Sequence, residues 1–318
     1  MIVNYMLNLL LWAIIFLISM VVLIKASDSF TYAAEKIGLH LGISSFVVGV
    51  VIVSIGTSLP ELISSLFAVF KNSSEIVIGN VMGSNITNIL LVVGVAAIFS
   101  KKLIIHYKFT KADIPTLLGS ALLLTASAMD GKFELFEAII LILFYLIYVT
   151  YTLKIKRKQK IEIPKEKKRK FNWKIGASLV ISSLFIYIGA KYTIESVIIM
   201  SEILNIGKEI IAILVVSLGT SLPELSVSVA AARKGKADMA MGNILGSNIF
   251  NSLIVMGIPS LFMPLTIPTG LIMWAAPIMI ISTLAFIYLM KNKKITKTHG
   301  VVLLVLYALF VAKSMNFI

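Results

Sequence analysis

The decapeptide VSIGTSLPEL at positions 53–62 returns later in the chain as the near copy VSLGTSLPEL at positions 216–225. Each copy places a proline and then a glutamate, Pro60–Glu61 and Pro223–Glu224, inside a long apolar stretch. Proline removes a backbone donor and disrupts a helix interior, and a carboxylate in hydrocarbon costs about 2.5 kcal/mol or more. Because the chain carries this costly pair twice, we expect the proline and the glutamate to have a functional role.

The composition of the 318 residues indicates a membrane protein. Hydrophobic residues make up 58% of the chain and charged residues 14%, whereas a soluble domain is about half apolar and about a quarter charged. Cysteine is absent, which excludes disulfides and thiolate metal sites. The N-terminal apolar stretch has neither a basic start nor a small-residue cleavage site, so we expect a retained first span and not a signal peptide.

Ten apolar windows are long enough to cross the roughly 30 Å hydrocarbon core as helices. They predict an all-α polytopic membrane protein with spans at about 4–24, 41–70, 78–99, 114–130, 134–153, 173–195, 208–232, 241–263, 268–290 and 298–316. The second and seventh spans contain the two decapeptides and are long enough to be broken helices.

Lysine and arginine are distributed unequally between the two sides of the predicted membrane domain. If the basic segment 154–174 is cytoplasmic, together with 25–40 and the other stretches on its side, that side carries 24 of the 29 Lys and Arg residues, as the positive-inside rule expects. We therefore expect a multi-pass protein of the cell (plasma) membrane with both termini outside. We interpret the basic excess behind the net charge of +14 as a signal for orientation in the membrane, with weak attraction to anionic lipid. We expect no nucleic-acid partner and no obligatory protein partner, and a monomer in the lipid bilayer.

An offset of 163 residues relates the two halves of the chain. It links Glu61 to Glu224 and the segment GNVMGSNITN (79–88) to GNILGSNIFN (242–251). Equivalent points are separated by five spans, an odd number, so the halves must cross the membrane in opposite directions. Inverted repeats with broken helices and a site at the midplane are a known plan of secondary transporters. The predicted organisation is one membrane domain, 1–318, with a first five-helix repeat at 1–153, a basic cytoplasmic linker at 154–172 and a second, inverted five-helix repeat at 173–318.

The decapeptide has two compatible interpretations. Ser58 and Glu61 fit an S-x-x-E capping box, and Pro60 suits the first turn of a helix. The same proline loosens the preceding turn, and free carbonyls at membrane depth are tolerated where they line a cavity. That turn would present carbonyls around residues 53–57 together with the Thr57 and Ser58 hydroxyls. The second copy would present Thr220 and Ser221 in the same way.

Glu61 and Glu224 are the two acidic residues, of fifteen, that the predicted spans place deep in the bilayer. An intramembrane carboxylate is functional by default. No basic residue shares the apolar stretches around them, so we expect a mobile cation to neutralise them.

The second motif places more oxygen ligands on a helix. Asn80, Ser84 and Asn88 are four residues apart and share one helix face, and Asn243, Ser247 and Asn251 repeat the row. Such residues also serve as hydrogen-bonding contacts between membrane helices, and the glycines of the motif allow close helix approach. Together, the two copies of both motifs supply carboxylate, hydroxyl, amide and carbonyl oxygens. All-oxygen ligation suits Ca²⁺, which takes about 6–8 oxygens, and would also hold Na⁺.

The doubled motifs G-T-S-x-P-E and G-N-x-x-G-S-N resemble those of the sodium/calcium exchangers of the calcium:cation antiporter superfamily. The chain looks like a prokaryotic-type member without regulatory domains. The resemblance implies an antiporter that exchanges Na⁺ for Ca²⁺ by alternating access, with these two ions transported, no cofactor and no enzymatic activity. It implies a calcium site of Glu61, Glu224, Thr57 and Thr220. Sodium sites would add Ser58, Ser84, Ser221 and Ser247, backbone oxygens at Ser54 and Ser217, and a further position at Asn88 and Asn251.

One departure from the family pattern is Asn251, where many relatives carry aspartate. Two amides at Asn88 and Asn251 argue against potassium dependence. Three alternatives stay open: a Ca²⁺/H⁺ antiporter in which the same glutamates take protons, a cation channel, and an intramembrane protease. The protease is disfavoured because no nucleophile–base pair is present, and the channel because of the inverted, broken-helix symmetry.

Overall fold

The computed structural model describes residues 2–70, 74–100, 103–107, 112–158, 173–203, 219 and 221–314. The described chain is almost entirely helical. Its longest helix, α1 (Ile2–Leu41), has 40 residues, which at about 1.5 Å per residue is about twice the thickness of the hydrocarbon core. It ends where Gly42 takes a left-handed conformation, with φ of 68°.

α1 continues past residue 24, the predicted end of the first span, so the prediction of a loop at 25–40 is wrong. Hydropathy indicates where the hydrocarbon region ends, whereas a helix continues until it meets a helix-breaking residue. The first glycine after residue 24 is Gly38, so nothing before it interrupts the helix. The polar part of α1 is held by packing, since Phe30, Ala33 and Ala34 are buried.

The second span is interrupted as the decapeptide predicts. It consists of α2 (Ser45–Val47), a π-helical segment π1 (Val48–Val53), α3 (Ser54–Thr57) and α4 (Leu59–Phe70). The break lies at Ser58, whose φ and ψ are −91° and 7°. In the second copy, Ser221 has nearly the same angles, −91° and 4°, and is followed by α10 (Leu222–Arg233). The rest of the predicted seventh span, apart from Gly219, lies outside the described residues.

The two G-N-x-x-G-S-N motifs form matching helices, each with a π-helical segment. The first is α5 (Glu75–Thr87), π2 (Asn88–Val92) and α6 (Val93–Phe99). The second is α11 (Ala237–Phe250), π3 (Asn251–Val255) and α12 (Met256–Ser260). Asn88 and Asn251, 163 residues apart, each open a π segment. Such segments occur frequently at functional sites.

The remaining helices are α7 (Asp113–Ser127), α8 (Leu135–Lys158), α9 (Trp173–Ile203), α13 (Thr269–Asn292) and α14 (Lys297–Ser314). Eight helical runs in the described parts of the chain are long and apolar enough to cross a membrane, and α7 is a shorter apolar helix. α8 extends four residues beyond residue 154, where the linker was predicted to begin, and α9 runs past the predicted end at 195. Residues 159–172 of the predicted linker lie outside the described residues.

Two short strand pairs connect the halves of the chain. β1 (Leu103–Ile104) pairs antiparallel with β4 (Lys294–Ile295), and β2 (Lys132–Phe133) pairs antiparallel with β3 (Leu265–Thr266). Each pair therefore joins one strand before the linker to one after it. The predicted orientation places β1 and β4 on the cytoplasmic side, and β2 and β3 outside.

The interior is built by close contact between the second span and α11. A Cβ atom added to Gly49 would lie 2.3 Å from the Met239 carbonyl oxygen, and one on Gly242 would lie 2.3 Å from that of Phe46. One on Gly246 would lie 2.4 Å from the Val50 carbonyl oxygen. The glycines let the two backbones touch, which brings the decapeptide of the first half against the second motif of the other half.

Candidate functional site

Both glutamates of the decapeptides lie in the protein interior. Glu61 is in the first turn of α4 and is 1% exposed, and Glu224 is in the first turn of α10 and is 0% exposed. The break before each helix places these side chains beside the interrupted backbone. The other predicted site residues that the structure describes are all buried as well: Ser54, Thr57, Ser58, Ser84, Asn88, Ser221, Ser247 and Asn251.

Ser58 joins the two halves of the site. Its hydroxyl donates to Glu224 Oε1 over 2.7 Å, and its Oγ lies 3.0 Å from Ser247 Oγ. These residues are 166 and 189 positions away in the chain, and they come from the first decapeptide, the second decapeptide and the second motif. The structure therefore brings the motifs together across the halves.

The capping-box interpretation does not describe the second copy. Ser221 stands at the N-cap of α10, but its side chain makes no capping hydrogen bond. Its counterpart Ser58 directs its hydroxyl at the carboxylate of the other copy. In the first copy, the serine hydroxyl is thus turned toward the site.

Asn243 of the second motif holds Thr57 in place. Thr57 Oγ1 donates to Asn243 Oδ1 over 3.2 Å, and Asn243 Nδ2 donates to Ser228 Oγ over 2.9 Å. In the first half, Asn80 Nδ2 donates to Ser65 Oγ over 3.1 Å and to the Glu61 carbonyl over 3.3 Å. The same Asn–Ser pair thus occurs twice, 163 residues apart.

Ser65 and Ser228 were not predicted to belong to the site. A signal for them exists in the sequence: each lies four residues after a decapeptide glutamate, on the same helix face, and the 163-residue offset relates them. Their hydroxyl oxygens accept hydrogen bonds from the asparagines that contact the decapeptides, so they help to position those asparagines.

Several buried polar atoms of the site have no hydrogen-bond partner among the described residues. They are Oδ1 and Nδ2 of both Asn88 and Asn251, Oγ of Ser221 and Oε2 of Glu224. A buried polar atom without a partner costs about 1–3 kcal/mol. A cation would satisfy the oxygen atoms of this set, and its preference for carboxylate, hydroxyl and amide oxygens matches the groups present.

The charge of Glu224 is not balanced by a protein cation. In the described part of the chain no Lys or Arg nitrogen lies within 4.0 Å of its carboxylate, and two ion pairs of the described residues join α1 to the turn between α10 and α11. These are Lys234–Asp28, at 2.7 Å, and Lys236–Glu35, at 2.5 Å.

A third carboxylate, at the start of a helix and outside the predicted site, is also fully buried. Asp113, the first residue of α7, is 0% exposed. Its Oδ2 accepts from the Tyr107 hydroxyl over 3.1 Å, and its Oδ1 from the Tyr148 hydroxyl over 3.4 Å. Asp238 Oδ1 in turn accepts from the backbone N–H of Tyr107 over 3.1 Å. Because Asp113 accepts hydrogen bonds from the Tyr107 hydroxyl and from a hydroxyl of α8, we assign it to the anchoring of the segment 103–107.

Two predicted site residues, Thr220 and Ser217, lie outside the described residues. The structure therefore describes the whole first copy of the decapeptide but only Gly219 and residues 221–225 of the second.

Comparison with known proteins identifies the family. The family model described as sodium/calcium exchanger protein matches residues 11–154 and 174–315. Sodium/calcium exchanger MaX1 of Methanosarcina acetivorans is 36% identical, over 93% of this chain and 96% of that protein. An uncharacterised membrane protein of Methanocaldococcus jannaschii is 34% identical over the same shares.

The fold is also that of a solved exchanger. A structure of the sodium-calcium exchanger NCX_Mj soaked with Na⁺ and Sr²⁺ superposes with a TM-score of 0.81 at 31% identity, covering 96% of this chain and 99% of that one. A structure of NCX_Mj soaked without Na⁺ and Ca²⁺ gives a TM-score of 0.82 at 31% identity. The family expected from the doubled motifs is thereby confirmed, as is a multi-pass membrane protein: the chain belongs to the sodium/calcium exchanger family of antiporters.

Proposed function

We propose that this protein exchanges Na⁺ for Ca²⁺ across the cell membrane by alternating access. The observation that carries the proposal is the contact of Ser58 with Glu224 and Ser247, because it joins three separate motifs around one buried carboxylate. The name of the Methanosarcina relative and the Na⁺, Ca²⁺ and Sr²⁺ soaks of NCX_Mj support the choice of ions. The family is one of transporters, and we expect no enzymatic activity.

We propose Glu61 and Glu224 as the principal ion ligands. Thr57, Thr220, Ser58 and the remaining predicted oxygens would complete the sites: Ser221, Ser84, Ser247, Asn88, Asn251 and the backbone at Ser54 and Ser217. Burial of the described members, and the unsatisfied oxygens of Asn88, Asn251 and Ser221, support this assignment.

The proposed architecture has ten membrane-spanning helices in two inverted five-helix repeats, 1–153 and 173–318. Three observations support it: the matching dihedral angles of Ser58 and Ser221, the π segments that open at Asn88 and Asn251, and the strand pairs that join the halves on both predicted sides. We further propose that both termini lie outside the cell and that the protein acts as a monomer.

Charge explains why exchange would be obligatory. Two ionised glutamates with one Ca²⁺ sum to zero, whereas the empty site carries two negative charges. Isolated charge in the membrane interior is strongly disfavoured. The empty site is therefore the state least able to pass through an occluded intermediate, and one ion type must replace the other before the site changes sides.

The test is Na⁺-gradient-driven uptake of ⁴⁵Ca²⁺ into proteoliposomes. We expect uptake by the native protein and none above background by Glu61→Gln or Glu224→Gln. Glu134→Gln, which neutralises an exposed glutamate outside the site, is the matched control and should retain uptake. Normal uptake by the variant with both site glutamates neutralised would refute the proposal.

The same vesicles separate the alternatives. Uptake driven by a pH gradient in the absence of Na⁺ would indicate Ca²⁺/H⁺ exchange. Flux that needs no counter-ion would indicate a channel.

A further inference from the structure

Two ion pairs tie α1 to the turn between α10 and α11. Lys234 Nζ lies 2.7 Å from Asp28 Oδ1 and also donates to the Asp28 carbonyl over 3.0 Å. About two helical turns farther along α1, Lys236 pairs with Glu35. By the Lys and Arg asymmetry this is the cytoplasmic side. The ion pairs therefore fasten the cytoplasmic part of α1 to the end of the helix that carries Glu224.

A serine pair ties the same two helices closer to the candidate ion site. The buried Ser27 hydroxyl donates to Ser226 Oγ over 2.8 Å. The Ser226 hydroxyl in turn donates to the Pro223 carbonyl over 3.0 Å. Because Pro223 directly precedes Glu224, this chain of hydrogen bonds runs from α1 to the backbone beside the site carboxylate.

A groove of about 630 Å³ follows the contact between α1 and α10. Its lining runs along α10 from Leu222 to the turn at Lys234, and along α1 from Met20 to Asp28. One end thus begins beside Ser221 of the site, and the other end lies at an ion pair on the cytoplasmic side. Separation of α1 from α10 would widen this groove into a route from the cytoplasm to the site.

The 163-residue offset also relates α1 to α9. It pairs Leu23 with Ile186, both large and buried, and Ala26 with Gly189, both small and buried. A Cβ on Gly189 would lie 3.0 Å from Leu23 Cβ, so two of these positions meet where the helices cross. The same offset relates α10 to α4, because it links the two decapeptides. The pair α9 and α4 is therefore the equivalent of the pair α1 and α10.

The other half of the chain does not repeat the three ties. The residues at the positions equivalent to Ser226, Ser27, Asp28 and Glu35 are, in that order, Ile63, Ala190, Lys191 and Ile198. None of them can repeat the serine hydrogen bond or supply the acid of an ion pair. The packing is unequal in the same sense: among the described residues α1 packs along α10, and no packing of comparable extent joins α9 to α4.

We propose that the three ties form a latch that favours the conformation closed toward the cytoplasm; its members are Ser27–Ser226, Asp28–Lys234 and Glu35–Lys236. This rests on the proposed alternating access, in which inverted repeats exchange their arrangements as the site changes sides. Identical repeats would give two states of equal free energy. The latch exists in one state and has no equivalent in the other, so it makes the two populations unequal.

A single cysteine reports the separation of α1 from α10. The native chain has no cysteine, and Ala230, a buried residue of α10, lines the groove. The Ala230→Cys protein is treated with a maleimide in Na⁺ buffer, so that the site is occupied and can change sides. Its labelling rate is proportional to the open fraction. Ser27→Ala with Asp28→Asn removes one hydrogen bond and one ion pair, and should speed labelling at least about threefold.

The matched control is Ser182→Ala with Asp130→Asn. The Ser182 hydroxyl bonds within α9, and Asp130 is an exposed acid outside the latch, so the labelling rate should not change. A second variant leaves the latch intact and installs the missing serine pair in the other half, by Ala190→Ser with Ile63→Ser. It stabilises the opposite state and should speed labelling about two- to tenfold.

Equal labelling rates in the latch variant and its control would overturn the latch, as would a serine pair in the other half that fails to speed labelling. Uptake of ⁴⁵Ca²⁺ by the same proteins separates this failure from that of the proposed function. Exchange by the native protein together with equal labelling rates contradicts the latch alone. Labelling as predicted, without Na⁺-driven uptake, contradicts the exchange of Na⁺ for Ca²⁺ alone.

Discussion

Gly246→Ala is predicted to separate the two elements that form the site. An added Cβ would lie 2.4 Å from the Val50 carbonyl oxygen and 2.6 Å from Ser54 Oγ. An ordinary contact of this kind needs about 3.4 Å, so the second span and α11 must move apart by about 1 Å. Overpacking of this size costs about 1–3 kcal/mol of folding free energy.

The same movement reaches the ion ligands, because Ser247 follows Gly246 directly. Its Oγ lies 3.0 Å from Ser58 Oγ, and a shift of about 1 Å takes this distance beyond the range of a hydrogen bond. Loss of one such bond is worth about 0.5–1.5 kcal/mol. The Ca²⁺ concentration for half-maximal uptake should therefore rise about two- to tenfold.

The assays are thermal unfolding of the purified protein and Na⁺-driven ⁴⁵Ca²⁺ uptake in proteoliposomes. Gly119→Ala in α7 is the control, because its added Cβ would meet only the ring of Phe144, at 3.9 Å. Alanine is favoured over glycine in a helix by up to about 1 kcal/mol, so the control should raise the midpoint of unfolding and leave uptake unchanged. If Gly246→Ala behaves like Gly119→Ala in both assays, the close contact does not support the site as we describe it.

Three further predictions follow from the contacts. Ser58→Ala removes a hydroxyl bonded to a buried carboxylate. Because such bonds contribute about 1.5–3 kcal/mol, the substitution should weaken Ca²⁺ affinity by at least about tenfold in the uptake assay. The control is Ser120→Ala, whose buried hydroxyl bonds within its own helix, and it should leave the affinity unchanged. Asp28→Asn breaks the ion pair with Lys234, whose side chains are 45% and 35% exposed, so the loss of stability should stay below about 1 kcal/mol in thermal unfolding; a loss of several kcal/mol would contradict the surface assignment. Because the native chain has no cysteine, Ser314→Cys should react with a membrane-impermeant maleimide added to intact cells, and labelling only after lysis would reverse the proposed orientation.

The sequence predicted those features of the fold and site that local chemistry and the repeat determine. Pro60 and the apolar run around it predicted a break, and the structure has one at Ser58. The 163-residue offset and the odd number of spans predicted that motifs from opposite halves would meet, as Ser58 and Glu224 do. Both inferences needed only the order of residues along the chain.

Features that depend on packing were not predictable in this way. The choice of Asn243 as the partner of Thr57 depends on the register of α11 against the second span, which is set by where two backbones can touch. The extension of α1 to Leu41 was missed because hydropathy detects hydrocarbon and not helix ends. The burial of Asp113 was not predicted because it depends on how Tyr107 in a loop and Tyr148 of α8 pack around the start of α7.

The strand pairs between the halves have a consequence for biosynthesis. Leu103 cannot find its partner until Ile295 has been made, about 190 residues later, and at about 5–20 residues per second that takes about 10–40 s. During this interval the first half has entered the membrane with an unpaired strand edge, which is prone to wrong pairing. Each half can complete these strand pairs only when the other half is present. The rate of translation therefore sets how long the first half stays without its strand partners.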